Sequence, residues 1–163
     1  MSPLRPDLVE CWVFRMADRG IELLLLQRAP DRSFAGMWQC VTGRLEDGET
    51  VIEAVLREVA EETALGPSDM VALYSLDLVN AFFEPSADAI LIEPVFAVQV
   101  GADATTVISP EHGDQLWMSP YEARRLVVWP AYLTAIERIE MIVADAQREP
   151  WFQLRLDGSR MVD

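Results

Sequence analysis

The sequence predicts an α+β fold in which a mixed β-sheet carries helices on its faces. Strand-like apolar runs outnumber helical patterns, and the helices are few and separate, as in that class. Apolar residues make up 51% and charged residues 25% of the chain, which is the composition of a soluble globular protein. Because 163 residues suit one domain with a sizeable core, we expect a single domain over residues 1–163.

The N-terminal part is expected to form a hairpin, a loop and a short strand. Two apolar runs flank a polar turn and predict the hairpin: Asp7 to Met16, Ala17 to Gly20 and Ile21 to Gln27. Residues 31–36 are expected to be a loop. The run Met37 to Val41 then predicts a short strand that leads to Thr42 and Gly43.

The stretch from Gly43 to Leu65 predicts a short helix. Thr50 and Glu53 have the spacing of a capping box, in which each side chain accepts a hydrogen bond from the other residue's backbone N–H. Gly66 and Pro67 predict that the helix ends before them. At about 100° per residue, four apolar side chains fall on one stripe that should face the core: Ile52, Val55, Leu56 and Val59.

The remaining part of the chain is expected to contain three strands and two helices. In order these are two long strands with a turn between them, a short strand, a short helix and a longer helix: Met70 to Phe83, Ala89 to Val100, Gln115 to Met118, Ser119 to Leu126 and a helix from Pro130. Ser119 and Glu122 form a second capping box. The longer helix carries apolar residues at helical spacing: Leu133, Ile136, Ile139 and Val143. Apolar residues after Pro150 indicate that the tail packs.

Composition excludes several classes of function. The net charge of −14, from 27 acidic and 13 basic residues, argues against binding to long nucleic acid, which needs a basic surface. No stretch approaches the roughly 20 apolar residues of a membrane span, and the N-terminus lacks the order of a signal peptide. Cys11 and Cys40 lie in apolar runs, so we expect buried thiols and a cytoplasmic location. The oligomeric state stays open.

Three glutamates, Glu58, Glu61 and Glu62, form an arc about 100° wide beside the apolar stripe of the predicted helix. Like charges at this spacing destabilise a helix by about 0.2–0.5 kcal/mol per pair, and a bound divalent cation reverses that effect. Carboxylate oxygens are the ligands that Mg²⁺ and Mn²⁺ prefer. The alternative is a solvated acidic helix face, since glutamate is a common helix former.

The spacing of these residues closely resembles the Nudix box. In that motif a glycine, five residues, a glutamate and seven residues precede R-E-U-x-E-E-x-G-U, where U is aliphatic. The matching positions are Gly43, Glu49, Arg57, Glu58, Val59, Glu61, Glu62 and Leu65. Ala64 stands where the family has its second glycine, and it costs on the order of 1 kcal/mol if that position needs a left-handed backbone. No metal ligand is lost by this departure.

The resemblance implies an α/β/α sandwich and the hydrolysis of a nucleoside diphosphate linked to another group. It implies Mg²⁺ as the cofactor, with Mn²⁺ as a substitute. The implied metal ligands in the box are the Gly43 carbonyl and three carboxylates: Glu58, Glu61 and Glu62. The implied catalytic residues are Glu58, Glu61, Arg57 and Glu49. Of these, Arg57 and Glu49 resemble the family's structural ion pair. Glu58 is the candidate base, although the residue in that role varies within the family.

A later loop carries Glu111 and His112. Many Nudix enzymes have a further acidic residue there, which makes Glu111 a candidate metal ligand; a solvated loop glutamate is the alternative. His112 is the only histidine of the chain, and we expect it to be a surface residue.

Features outside the box resemble the Nudix enzymes that hydrolyse dihydroneopterin triphosphate or dATP. The approach to Gly43 lacks the common P-G-G, and the C-terminal third carries Glu111, His112, Trp117 and Trp129. The implied partner is a small nucleotide or pterin triphosphate. Candidate substrate-binding residues are Arg28, Trp38, Gln39, Phe82, Phe83 and Trp129. The alternatives are core positions for the aromatic residues and a surface ion pair for Arg28.

Two other functions remain open. The first is Nudix hydrolysis of dinucleoside polyphosphates, nucleotide sugars or capped RNA ends, which no feature outside the box excludes. The second belongs to a different class: a Nudix-like module that senses a nucleotide without cutting it. Such modules usually lose box carboxylates, and all of them are present here.

Overall fold

β1 is the strand around which the sheet is built. The structure is a computed structural model that describes residues 4–162. Within these residues eight strands form one sheet: β1 Leu8–Ala17, β2 Gly20–Arg28, β3 Trp38–Gln39, β4 Val41–Arg44, β5 Met70–Glu84, β6 Ala89–Val100, β7 His112–Met118 and β8 Gln153–Leu154. The helices are α1 Val51–Thr63, α2 Pro120–Leu126, α3 Pro130–Val143 and α4 Glu149–Phe152, with a 3₁₀ turn at Pro67–Asp69.

The sheet is mixed, as predicted. β1 pairs with β6 in parallel, and on its other edge it pairs antiparallel with both β2 and β4. The remaining pairs are antiparallel: β2 with β3, β2 with β7, β5 with β6 and β5 with β8. The hairpin of β1 and β2 is confirmed, and so are the long strands β5 and β6 with the turn between them.

The prediction of a single short strand over Met37 to Val41 is wrong in the number of strands. The chain forms two strands here, interrupted at Cys40, because β3 pairs with β2 whereas β4 pairs with β1. β1 and β2 therefore pair with each other only near their connecting turn. Farther from the turn, β1 pairs with β4 and β2 pairs with β3. Val9 pairs with Gly43 in this arrangement, so β4 ends beside the first residues of β1. We call this end of the sheet its mouth.

Helices cover both faces of the sheet, which confirms the α/β/α sandwich. Side chains alternate between the faces of a strand, and β1 shows the two sets. Val9, Cys11 and Val13 pack on the side of α1, whereas Trp12 and Phe14 pack on the side of α3. Because both faces are covered, the strand reads as a nearly continuous apolar run.

The helix α1 begins and ends as the sequence indicated. The Thr50 hydroxyl accepts a hydrogen bond from the Glu53 N–H (3.3 Å), and the Glu53 carboxylate accepts one from the Thr50 N–H (2.8 Å). Of the predicted stripe, Ile52, Val55 and Val59 are buried and Leu56 is partly buried. Ala64 has φ +61° and caps the helix in the left-handed conformation, which is the condition under which alanine is expected to cost on the order of 1 kcal/mol at this position.

The C-terminal third differs from the expectation in detail. β7 starts at His112, three residues before the predicted start. The capping box of Ser119 and Glu122 is present, and α3 starts at Pro130 as expected. In α3, however, Leu133 is 40% exposed, and the buried side is formed by Tyr132, Ala135, Ile136, Ile139 and Ile142.

The tail after Pro150 packs in part. Leu154 is buried and pairs with Leu73 at the edge of the sheet, whereas Trp151 is largely exposed. Cys11 and Cys40 are free and buried, as expected. None of the helices between residues 4 and 162 has the length and apolar character that a membrane crossing requires.

Candidate active site

The contact between Gly43 and Glu58 defines the centre of the candidate site. Glu58 projects from α1 across the end of β4, and a Cβ built on Gly43 would lie 1.8 Å from its Cδ and 1.9 Å from its Oε1. No side chain fits at position 43 while Glu58 keeps this position. The glycine of the motif is therefore required by the close approach of a carboxylate to the backbone, and its φ is not in the left-handed region.

Arg57 holds the loop before the helix against the helix itself. Its Nε donates to Glu49 Oε1 (2.8 Å) and its Nη2 donates to Glu49 Oε2 (2.9 Å), so the pair is bidentate. Nη2 also donates to the carbonyl of Arg44 (2.9 Å), and Glu49 accepts from the Glu46 N–H (3.0 Å). The hydrogen bonds from Arg57 lower the pKa of Glu49 to about 2. The predicted ion pair of Arg57 and Glu49 is thus present.

The same guanidinium also contacts two of the three helix glutamates. Nη1 of Arg57 donates to Glu58 Oε1 (2.7 Å) and, at 3.3 Å, to Glu61 Oε2. Glu61 is 59% exposed at its side chain, whereas only 12% of the Glu58 side chain is exposed. Burial raises the pKa of Glu58, and Arg57 opposes this shift. Glu58 and Glu61 thus bind the same guanidinium group of Arg57, but the Glu58 side chain is largely buried whereas that of Glu61 is exposed.

Glu62 faces the interior. Its carboxylate lies beside the His112 imidazole, with 3.1 Å between Glu62 Oε2 and His112 Nε2. This is a close polar contact, and besides it Glu62 Oε2 has no hydrogen-bond partner among residues 4–162. Burial raises the pKa of Glu62; the contact with His112 lowers it, and the charge of Glu111 raises it. The expectation that His112 is a surface residue is wrong, because its side chain is fully enclosed.

Glu111 and Arg28 lie together at the edge of this region. Arg28 Nη1 is 3.7 Å from Glu111 Oε2, and Arg28 Nε donates to the carbonyl of Ser33 (3.2 Å). The backbone carbonyl of Glu111 accepts from the Ala29 N–H (2.9 Å), which fixes the loop at β2. Arg28 therefore forms the ion pair that was its alternative interpretation.

The residues proposed for ring binding are not gathered at one point. Trp38 packs in the core on the α3 side, and Gln39 is buried with its Nε2 unpaired within the described chain. Phe82 and Phe83 are exposed and, as neighbours in a strand, point to opposite faces. Trp129 is partly exposed at the start of α3, where its ring meets Phe34 edge-on at 5.9 Å between centroids.

The donor set is suited to a hard divalent cation. Glu58, Glu61 and Glu62 offer carboxylate oxygens, the ligands that Mg²⁺ and Mn²⁺ prefer. One of these oxygens, Glu62 Oε2, is buried without a hydrogen bond within the described chain. Across residues 4–162, however, no three His, Cys, Asp or Glu side chains have the arrangement of a metal site. Glu58 and Glu61 are engaged by Arg57 instead.

A second buried polar group was not predicted. Glu10 Oε1 accepts from the Trp12 Nε1–H (2.6 Å), and the Asn80 Nδ2 donates to Glu10 Oε2 (2.9 Å) and to Glu93 Oε2 (3.2 Å). Burial and the charge of Glu93 raise the pKa of Glu10 to about 8. In the sequence, these residues could have been found as glutamates inside apolar runs that form central strands: Glu10 in β1 and Glu93 in β6.

Comparisons with known proteins agree with this geometry. The NUDIX domain family model matches residues 5–138. An octanoyltransferase from Myxococcus xanthus is 40% identical over 104 residues, which cover 61% of this chain and 28% of that protein. The dihydroneopterin triphosphate diphosphatase of Escherichia coli (strain K12) is 48% identical over 50 residues, which cover 31% of this chain and 29% of that protein. The matches thus span less than a third of either relative.

The structural comparison extends over most of the domain. A Nudix hydrolase from Listeria monocytogenes superimposes with a TM-score of 0.73 and 25% sequence identity, covering 86% of this chain and 95% of that one. The family model covers seven of the eight strands of the sheet, β1 to β7, together with the whole of α1 and both sides of the contact between Gly43 and Glu58. The chain belongs to the Nudix family.

Proposed function

We propose that the protein is a Mg²⁺-dependent pyrophosphohydrolase that cuts a small nucleoside triphosphate or dihydroneopterin triphosphate into a monophosphate and pyrophosphate. The observation that carries this proposal is the contact between Gly43 and Glu58. A carboxylate held against the backbone at the mouth of the sheet, and braced by Arg57, is preorganised for catalysis. A module that only senses nucleotides has no need of that preorganisation.

The cation would be held by Glu58, Glu61, Glu62 and the Gly43 carbonyl, with Glu111 as a further candidate ligand. When bound, Mg²⁺ would neutralise phosphate charge and, as a Lewis acid, polarise a phosphoryl oxygen, and Mn²⁺ would supply the same chemistry. The fit rests on the carboxylate donors, whose oxygens are the ligands that Mg²⁺ prefers.

We assign the role of general base to Glu58. Its Oε1 accepts a hydrogen bond from Arg57, which leaves Oε2 as the oxygen that faces either the cation or the attacking water, and as the base Glu58 would take the proton of that water on Oε2. Partial burial raises the pKa of Glu58, which makes it a better proton acceptor than an exposed carboxylate. Arg57 keeps the carboxylate in one orientation and at the same time anchors the loop through Glu49.

Two observations support a small triphosphate as the substrate. The net charge of −14 gives the surface no general attraction for polyanions, so the affinity for phosphate must come from the bound cation. The match to the Escherichia coli dihydroneopterin triphosphate diphosphatase is 48% identical over its 50 residues. Stacking tolerates different rings, so we expect dATP to be hydrolysed as well, more slowly than the pterin triphosphate.

The substrate assignment is tested by products and by kcat/KM. With Mg²⁺ present, dihydroneopterin triphosphate and dATP should each give the monophosphate and pyrophosphate, with no orthophosphate. Diadenosine tetraphosphate and an ADP-sugar serve as competing substrates in the same assay. A tenfold or larger lead of either competitor in kcat/KM would remove the triphosphate assignment and leave the hydrolase assignment in place.

The catalytic assignment is tested by Glu58→Gln. Glutamine keeps the shape of the side chain but cannot take a proton, so kcat should fall at least about 100-fold. Glu137→Gln, on the exposed side of α3, is the matched control and should keep the native rate. Native turnover in Glu58→Gln would contradict the role of Glu58 and place the base at another residue, and native turnover with excess chelator would contradict the need for a cation. A folded native protein that binds these nucleotides in the presence of Mg²⁺ but turns none of them over would favour the non-catalytic module.

A further inference from the structure

A β-bulge in β7 turns the side chain of His112 toward the face of the sheet that α1 covers. Leu26 of β2 pairs with Gln115, and Leu26 packs on the α1 side of the sheet. Because side chains alternate along a strand, His112, three residues earlier, would face the opposite side in a regular strand. The pairing shifts instead, from Gln27 with Asp114 to Arg28 with His112, so that Gly113 is an extra residue. Such bulges redirect side chains and are frequent beside active sites.

The loop before His112 is attached to the last turn of α1. The Ser109 N–H donates to the carbonyl of Glu62 (3.2 Å), and the Val107 N–H donates to the carbonyl of Thr63 (2.9 Å). The His112 N–H in turn donates to the carbonyl of Ser109 (3.1 Å). The backbone of His112 is thus fixed relative to Glu62 by a chain of hydrogen bonds that no metal is needed to form.

The side chains of these two residues meet in the interior. His112 Nε2 lies 3.1 Å from Glu62 Oε2; the imidazole is fully enclosed, and only 7% of the Glu62 side chain is exposed. Apart from this contact, neither ring nitrogen of His112 nor the facing oxygen of Glu62 has a hydrogen-bond partner in the described chain. Buried polar atoms with so few partners are costly, so a role for this pair other than stability is indicated.

We infer that His112 is a positioning residue that orients the Glu62 carboxylate for the cation, although it touches neither cation nor substrate. This inference rests on the proposed function, in which Glu62 is a ligand. Partners behind a metal ligand fix its orientation, and their loss typically lowers metal affinity about 10- to 100-fold. His112 occupies that place, because it approaches Glu62 from within the fold and leaves the other oxygen of the carboxylate free of this contact.

The test compares His112→Gln with His112→Asn, using Mn²⁺ binding to the substrate-free protein measured by electron paramagnetic resonance. Both amides are polar, but only glutamine carries its N–H donor as far from the backbone as Nε2 of histidine. We expect Mn²⁺ affinity within about threefold of native for His112→Gln and about 10- to 100-fold weaker for His112→Asn. Asp114→Asn, on the exposed side of the same strand, is the control and should bind Mn²⁺ as the native protein does.

A double-mutant cycle with Glu62→Gln separates the positioning role of His112 from the ligand role of Glu62. If His112 acts through Glu62, His112→Asn should have no further effect on Mn²⁺ affinity in the Glu62→Gln background. Additive losses, or equal affinities for His112→Gln and His112→Asn, would overturn the positioning role. If Glu62→Gln alone keeps the native affinity, Glu62 is not a ligand, and the failure belongs to the proposed function instead. Thermal unfolding without metal shows whether each variant is folded, and we expect similar midpoints for His112→Gln and His112→Asn.

Discussion

Gly43 and Glu58 are packed so closely that the glycine cannot be replaced without moving the glutamate: an added Cβ would lie 1.8 Å from the Glu58 carboxyl carbon. The two residues come from different elements, the end of β4 and the middle of α1. Their contact places the proposed base beside the carbonyl of a proposed ligand. Arg57 secures the same arrangement from the other side through its bond to Glu58 Oε1.

Gly43→Ala should therefore inactivate the enzyme through Glu58. A displacement of about 1 Å at a reacting group can cost about 100-fold in rate, and we expect a loss of kcat of that order. Gly101→Ala is the matched control, because a Cβ there meets nothing within 4 Å, and its kcat should be native. Circular dichroism should show both variants folded. A folded Gly43→Ala protein with native kcat would refute the positional role of this contact.

Arg57→Lys should lower kcat with little effect on KM. Lysine keeps the charge but lacks the planar fork that binds both oxygens of Glu49, so the loop and Glu58 lose their common anchor. We expect kcat to fall about tenfold or more and KM to stay within about threefold. The conservative control is Arg124→Lys, which alters the ion pair with Glu140 between α2 and α3. A large rise in KM at unchanged kcat would mean instead that Arg57 contacts the substrate.

Ala64→Gly should stabilise the protein. Ala64 has φ +61°, a conformation that costs alanine on the order of 1 kcal/mol and glycine almost nothing. The midpoint of urea unfolding should rise by the equivalent of about 1 kcal/mol. Ala60→Gly makes the same substitution on the exposed side of α1 and should have the opposite effect, a loss of about 1 kcal/mol. Equal effects of the two substitutions would show that the left-handed conformation is not what determines the stability.

Stability should decrease as the pH rises above the ordinary pKa of glutamate. Burial raises the pKa of Glu10 from 4.5 to about 8, so the folded chain keeps a proton that the unfolded chain releases above about pH 4.5. The contribution of Glu10 to folding is complete below that pH and is lost progressively up to about pH 8. Glu93→Gln removes the neighbouring charge that contributes to this shift, so its unfolding free energy should depend less steeply on pH.

This prediction is checked by urea unfolding at several pH values between 5 and 8. Glu137→Gln is the control, since Glu137 is exposed on α3 and should leave the slope unchanged. A slope in Glu93→Gln as steep as in the native protein would show that Glu93 does not contribute to the shift.

The local features of the domain could be predicted from the sequence because they depend on residues close together in the chain. The capping box of Thr50 and Glu53 involves two backbone groups within one turn, and the hairpin of β1 and β2 follows from two apolar runs around a polar turn. The acidic arc of α1 follows from helical periodicity. These features were sufficient to predict the fold class, and the resemblance of the stretch from Gly43 to Leu65 to the Nudix box indicated the family and its box residues.

Only the tertiary structure decided which side chains are buried together. His112 looked like a surface residue because its burial depends on a bulge at Gly113 and on a loop that binds the end of α1. Glu10 and Asn80 are 70 positions apart in the chain and meet because β1, β6 and β5 are neighbours in the sheet. Such contacts depend on strand order and register, which are set by packing over the whole sheet. A local pattern carries no information on them, because the same run of residues can face either side until its partners are fixed.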